Sequence, residues 1–379
     1  MIDDDKNPGQ SVDLPSEIPE LKRFNIYCSE GCTDYELYAR PIGTRRSVMI
    51  FVEFPDAPAG SVSAADTANH LLGNGLAQQL FKDQSYGKFE LAVTVRDDLG
   101  WRKIPNASLT YDCHDFNSHR QYVADASQLF SREIDFSEYD FVFIVAPYGA
   151  SFLDSPAFNA PKGQGALSPS GEIRLAVTFG KDSYRNNYVN LVHEVSHLIG
   201  LPDLYPYGES VNTSKAGCWD LMSDIFHCEC YLGWHRYKNG WLDPTRISYL
   251  WTTTTDWPTT LSPIQCREGL SMVILPIDDM HSPSKVLCIE LSQTRTGKSN
   301  EHRPEGVLIY TVDSSVPTGH SPLHILPKRV SQSAELGYLY EACFQPNDSK
   351  AIVEGTTNIE VLVVERLDSR YRIQVSYHR

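Results

Sequence analysis

"LVHEVSHLIGLPDLYPYG", residues 191–208, is the stretch on which the reading of this chain turns. His193 and His197 stand four positions apart, and residues four apart on a helix lie one above the other on one face. Two imidazoles are thereby presented to one point. Glu194 sits beside that face, where a carboxylate reaches a metal-bound water without displacing it. This is the logic of an HExxH helix: two metal ligands and a general base from one element. Gly200 stands where the helix must end, because glycine tolerates the left-handed cap. Pro202 then prevents the helix from resuming. The chain is free to turn back beneath the histidines, and Asp203 arrives six residues after His197.

Catalytic zinc sites normally take three protein ligands and leave one position open. Asp203 is therefore the candidate third ligand of an HExxHxxGxxD pattern. Glu209 and Glu229 are rivals, since Asp is also a common turn residue. HExxH alone should arise by chance in roughly 2% of chains of this composition, and Gly and Asp at fixed offsets lower that to the order of one in ten thousand. A core helix with a capping glycine accounts for Gly200 and Pro202. It does not account for two imidazoles and a carboxylate in an apolar setting. Further on, "GCWDLMSD" places Met222 in a short segment after the ligand loop, the position of the methionine turn that packs under extended zinc sites of this type.

Around this centre the chain divides by texture. Residues 1–45 read as an N-terminal tail or extension, the first 20 of them polar and acidic. Residues 46–245 alternate strands and helices. "RSVMIFVEFPDAP", "GKFELAVTVRDD", "YDFVFIVAP" and "EIRLAVTFG" read as strands. "SAADTANHLLGNGLAQQLFKDQ", with a break at Gly73 and Gly75, "NSHRQYVADASQLFSREI" and "RNNYVNLVHEVSHLIG" read as helices. A Gly/Pro/Ser-rich loop fills 147–171. From 246 to 379 short Val-, Ile-, Thr- and Tyr-rich runs predict a mostly β domain, a sandwich or compact barrel. The expected fold class is α+β: a mixed twisted sheet with packed helices and an active-site helix, followed by a β-sandwich-like domain.

Composition bounds the rest. The 379 residues are 41% hydrophobic and 21% charged, as in a globular protein. A net charge of −15 disfavours nonspecific binding to nucleic acid or anionic membranes. No apolar run approaches the roughly 20 residues of a membrane span. The nine cysteines and the sequons at Asn106, Asn212 and Asn347 favour an oxidising compartment, hence a secreted protein whose leader is absent from this chain. Cys28 and Cys32 are close enough to pair locally. Cys218 and "HCEC" at 227–230 read as disulfide partners, with a second zinc site as the alternative. Cys32 is a candidate latency thiol. His114 and His119 read as surface histidines. "DDDK" and "IDDM" lack EF-hand spacing.

On these motifs the sequence resembles the immune inhibitor A family of secreted zinc metallopeptidases, which are metzincin-like. "VMIFVEFPD" is similar to the family's opening strand and Pro-Asp turn, and "QSYGKFEL" to its Ser-Tyr-Gly segment. "HEVSHLIGLPDLY" resembles its zinc motif, "CWDLMS" its methionine turn, and "LGWHRYKNGWLDP" the segment after it. "GVLIYTVD" and the last strands resemble its β part. The likeness covers roughly residues 40–379. It departs from the family in "EVS" between the histidines, in the cysteines around 218–230 and in the N-terminal 40 residues.

The resemblance implies that His193, His197 and Asp203 hold one catalytic zinc ion, that Glu194 is the base and that Met222 forms the floor. It also makes calcium an additional candidate ligand. The expected function is hydrolysis of protein or peptide substrates by a zinc-activated water, the substrate pairing with "EIRLAVTFG" as an edge strand. The alternatives are a noncatalytic zinc-binding adhesion or binding protein on a protease-like fold, and a zinc hydrolase acting on a non-peptide bond. The intact set of ligands plus Glu194 argues against the first.

Overall fold

"VMIFV", residues 48–52, lacks the alternation of a half-exposed strand, which predicts burial on both faces. The computed structural model has this arrangement. It describes residues 20–24, 28–209, 213–250, 256–279, 282–292, 295–296, 302–303, 305–328, 339, 341–353 and 358–378. Residues 1–19 of the expected tail and the Asn212 sequon lie outside them.

Strand β1 (Gly43–Glu53) is buried from Ser47 to Val52. It is followed by α1 (Ala64–Leu72), α2 (Leu76–Gln84), β2 (Phe89–Val95), β3 (Trp101–Lys103), α3 (Phe116–Gln128) and β4 (Phe141–Val145). Next come β5 (Ala157–Asn159), β6 (Ala166–Ser168), β7 (Gly171–Ile173), β8 (Leu175–Phe179), α4 (Lys181–Asn186) and α5 (Tyr188–Leu198). The sheet runs β2-β1-β4-β8-β5, with β3 beside the second half of β1. Its pairs are parallel except β5 against β8.

Alternate side chains of β1 enter different cores. Met49 and Phe51 join Phe143 and Val145 of β4 under α1, α2 and α5. Val48, Ile50 and Val52 join Val142 and Ile144 against Tyr122, Val123 and Ala126 of α3. Each such side chain, fully buried, contributes about 1.5–3 kcal/mol, and this sandwiching fixes the sheet that carries the site.

Two sequence expectations change. The loop expected over 147–171 contains β5 and the start of the β6–β7 hairpin. Strands of three residues carry no periodic signal, and β5 forms because β8 offers it an open edge. The helix expected through Ile134 ends at Gln128, although Phe130 and Ile134 stay buried.

Beyond α6 (Gly233–Lys238) the chain is β: β9 (Ile247–Tyr249), β10 (Asp256–Leu261), β11 (Met272–Pro276), β12 (Lys285–Ser292), β13 (Arg295–Thr296) and β14 (His302–Arg303). Then follow β15 (Gly306–Asp313), β16 (Leu323–Ile325), β17 (Ala351–Val353), β18 (Asn358–Leu367) and β19 (Arg370–His378). A five-stranded sheet, β16-β15-β12-β11-β9, faces a four-stranded one, β10-β19-β18-β17. Val273, Leu287 and Ile309 meet Val361, Ile373 and Val375 between them, which makes a sandwich. The other face of the five-stranded sheet, with Met272, Ile274, Cys288 and Tyr310, shares the core of α5 and Met222. Both faces are covered, which explains the near-continuous apolar reading of β11, β12 and β15. The result is a mixed α/β architecture with several sheets and few helices. Among the described residues no helix is long and apolar enough to cross a membrane.

Candidate metal centre and its cleft

Helix α5 is buried over nearly its whole length, which fixes the backbone that carries its two histidines. The His193 and His197 rings stand 4.8 Å apart and perpendicular. Gly200 ends the helix at φ 95°, and a Cβ there would lie 2.6 Å from Thr33 Cγ2, so conformation and space both require glycine. The Leu201 N–H returns to the Ser196 carbonyl. Asp203 then enters beneath the ring pair, buried.

Asp203 Oδ1 lies 3.0 Å from His193 Nε2 and 3.4 Å from His197 Nε2. A tetrahedral ion with bonds of about 2.0–2.1 Å separates its ligands by roughly 3.3 Å. The other ring nitrogens face backbone carbonyls: His193 Nδ1 meets Leu221 O at 3.3 Å and His197 Nδ1 meets Leu201 O at 2.8 Å. A carbonyl only accepts, so Nδ1 keeps a hydrogen and Nε2 is the atom that can bind an ion in place of a proton. Asp203 Oδ1 is buried and makes no hydrogen bond. Two imidazole Nε2 atoms and a carboxylate oxygen thus converge, and the group could hold a metal ion. Burial disfavours the charged form of His197, but Asp203 outweighs it and holds the imidazole well above its ordinary pKa. Burial likewise works against the Asp203 carboxylate, which the two imidazoles nevertheless hold well below the usual range.

Glu194 is buried beside the group, and burial pushes its carboxyl up to about 7, against the pull of His193 and His197. Met222 is fully buried, and its carbonyl accepts from Leu204 N–H at 3.0 Å. The turn thus touches His193 through the Leu221 carbonyl and the Asp203 loop through the Met222 carbonyl. Glu209 is exposed and accepts from Thr213, and Glu229 accepts from the Tyr188 hydroxyl. Neither joins the three-residue group.

A buried ion cluster holds this turn. Asp220 accepts from Met222 N–H and Leu232 N–H and pairs with His235 Nδ1 at 2.9 Å. His235 Nε2 meets Glu30 Oε1 at 2.9 Å, and Lys238 lies 3.9 Å from Glu30 Oε2. Burial alone would lower the His235 pKa from 6.5, but Asp220 and Glu30 raise it to about 10. Burial raises Glu30, and His235 and Lys238 bring it below 4.5. The imidazolium's contribution to stability is complete below pH 6.5 and is lost as pH climbs through 10. That of Glu30 is present above 4.5 and fades as pH falls through its lowered value. Denaturant melts should therefore show stability falling between pH 6.5 and 10. His235→Ala, which removes the cation between two buried carboxylates, should cost about 3–5 kcal/mol and flatten that slope. A wild-type profile flat from pH 7 to 10 would contradict the assignment.

The centre opens into a cleft of about 790 Å³, whose walls include Ala157 and Asn159 of β5, Tyr205, Tyr207, Phe226 and Thr318. Asn159 Nδ2 donates to the His197 carbonyl at 3.0 Å, tying β5 to α5. The expected edge strand is corrected here. β8 is interior, paired with both β4 and β5, and β5 is the edge.

The cysteines also differ from expectation. Cys28 and Cys32 are not bonded to each other. The Cys28 thiol lines the cleft within hydrogen-bonding reach of His197, whereas Cys32 is exposed and donates to Glu20. The thiol nearest the centre is thus Cys28 and not Cys32. Cys228 and Cys230 have their sulfurs 3.3 Å apart, beyond the ~2.05 Å of a disulfide, and His227 bonds to Asp224. His119 is buried rather than superficial. Its Nε2 meets Thr178 Oγ1 at 2.9 Å, and burial lowers its pKa to about 4. His114 is exposed at the cleft, 3.4 Å from Asp154.

Sequence reasoning missed Cys28, Tyr207 and Thr318. Tyr207 had no periodic signal, because it and Asp203 lie on a stretch without helix or strand. Thr318 had none, because it meets Asp203 across 115 positions.

The chain matches no family model and no curated protein. Among solved structures it is similar to catalytically inactive OgpA from Akkermansia muciniphila in complex with an O-glycopeptide substrate. The two share 9% identity, with 97% of this chain and 99% of that chain covered and a TM-score of 0.27.

Proposed function

We propose that the protein is a zinc-dependent endopeptidase. One observation carries this reading: two imidazole Nε2 atoms, their Nδ1 hydrogens already committed to carbonyls, converge with an otherwise unbonded carboxylate oxygen beside buried Glu194 in an open cleft. Two imidazoles and a carboxylate with an open fourth position suit zinc. His193, His197 and Asp203 would hold the ion, which would lower the pKa of a bound water toward about 7 and polarise a scissile carbonyl. Glu194, buried beside the group, is placed to act as the base toward an attacking water and as the acid toward the leaving amine. His193 and His197 keep their Nε2 lone pairs inward because Leu221 and Leu201 hold the opposite nitrogens. An extended substrate aligns along β5, whose outer edge offers backbone partners beside the centre.

Cleavage-site profiling on a peptide library, with and without chelator, tests the reading. Internal cleavages that vanish on chelation and return with zinc are the expected result. Cleavage indifferent to chelator, or hydrolysis confined to ester substrates, would overturn it. Metal bound with no turnover of any substrate would favour the noncatalytic alternative.

A further inference from the structure

Asp203 lies on a stretch without helix or strand, yet each of its polar atoms except Oδ1 has a fixed partner. Its N–H donates to Thr318 Oγ1 at 2.9 Å. Its carbonyl accepts from Gly319 N–H at 3.1 Å. Its Oδ2 accepts from the Tyr207 hydroxyl at 2.6 Å, and that hydroxyl also meets Thr318 Oγ1 at 3.3 Å. Tyr207 N–H donates to the Gly319 carbonyl at 2.8 Å. The loop that supplies these partners joins β15 to β16 and so belongs to the C-terminal sandwich. It is itself fixed to the N-terminal segment, since Thr318 N–H donates to the Cys28 carbonyl and Ser29 bridges Pro317.

Gly319 makes the approach possible. Its φ is +72°, and a Cβ there would fall 2.2 Å from the Tyr207 ring. The backbone must come this close for its N–H and carbonyl to clasp the ligand loop on both sides of Asp203.

We infer that the β15–β16 loop is a built part of the metal centre: Thr318 and Gly319, together with Tyr207, position Asp203 so that Oδ1 alone is left for the ion. This inference rests on the reading of Asp203 as a metal ligand. The catalytic half is then incomplete without the sandwich. Thr318 and Tyr207 are positioning residues, acting through Asp203. Their effect falls on metal affinity, where partners that orient a ligand are typically worth 10–100-fold. Thr318→Val keeps the shape and removes the acceptor for the Asp203 N–H. Tyr207→Phe removes only the hydroxyl on Oδ2, at a residue half exposed to solvent, where loss of one oxygen leaves packing intact.

The test is competitive zinc titration of the full chain against a chromophoric chelator, with thermal melts of the metal-free proteins alongside. The wild type should bind one zinc ion, and Asp203→Ala should lose it. Thr318→Val and Tyr207→Phe should each weaken binding by about 10-fold or more, with metal-free melting close to wild type and Thr318→Ser restoring affinity. If Asp203→Ala loses zinc while Thr318→Val and Tyr207→Phe bind it like wild type, the positioning role is wrong and the ligand reading stands. If Asp203→Ala binds like wild type, the ligand reading itself fails and the inference with it. Should Thr318→Val not fold, Tyr207→Phe decides alone.

Discussion

Glu194→Gln should retain its metal and its fold while losing about 10²–10⁴-fold in kcat, the usual contribution of a positioned acid–base group. The substitution keeps the size of the side chain and removes its capacity to take a proton. Glu194 lies in sequence between the ligand histidines and is buried at the cleft, yet it is absent from the converging group. Its loss should thus leave zinc affinity within a small factor. Metal analysis and steady-state kinetics on one preparation separate the two effects. A variant that keeps wild-type turnover would remove Glu194 as the base. A variant that loses zinc would make it a ligand.

Asp203→Ala should have the opposite signature. Residues that merely orient a ligand are worth 10–100-fold in metal affinity, so removing a ligand outright should exceed about 100-fold. Two histidines alone leave a site that zinc does not hold well. Glu209→Ala and Glu229→Ala should leave affinity unchanged, because one carboxylate serves Thr213 and the other serves Tyr188. Equilibrium zinc titration across the three variants checks this. Retention of zinc by Asp203→Ala with loss in either glutamate variant would reassign the third ligand.

The parts of the molecule that the sequence announced are those governed by local periodicity. The spacing of His193 and His197 needs only helical geometry, and the Gly200–Pro202 reversal needs only backbone conformation. The buried strands β1, β4, β11, β12 and β15 betray themselves as apolar runs, because both faces of each sheet are covered. Even the break between α1 and α2 is visible at Gly73 and Gly75.

What stayed hidden depends on contacts between distant segments. β5 is three residues long and exists by courtesy of β8. The Glu30–His235–Asp220 cluster joins three stretches, none of which looks unusual alone. Thr318 reaches the Asp203 loop from the turn between β15 and β16, 115 positions away. The cysteines misled because composition cannot separate a disulfide partner from a small apolar side chain. Cys113 and Cys288 sit in apolar cores, and Cys28 faces the centre. The edge strand went to β8 for a similar reason. A run such as "LAVTF" reads as a strand, but nothing in it says which neighbour lies outside.

Casein hydrolysis by the intact protein, followed before chelation, after it and after zinc is restored, tests the central claim most directly. Turnover that chelation abolishes and one equivalent of zinc restores is the expected result. Undiminished hydrolysis in the fully chelated, metal-free protein would contradict it.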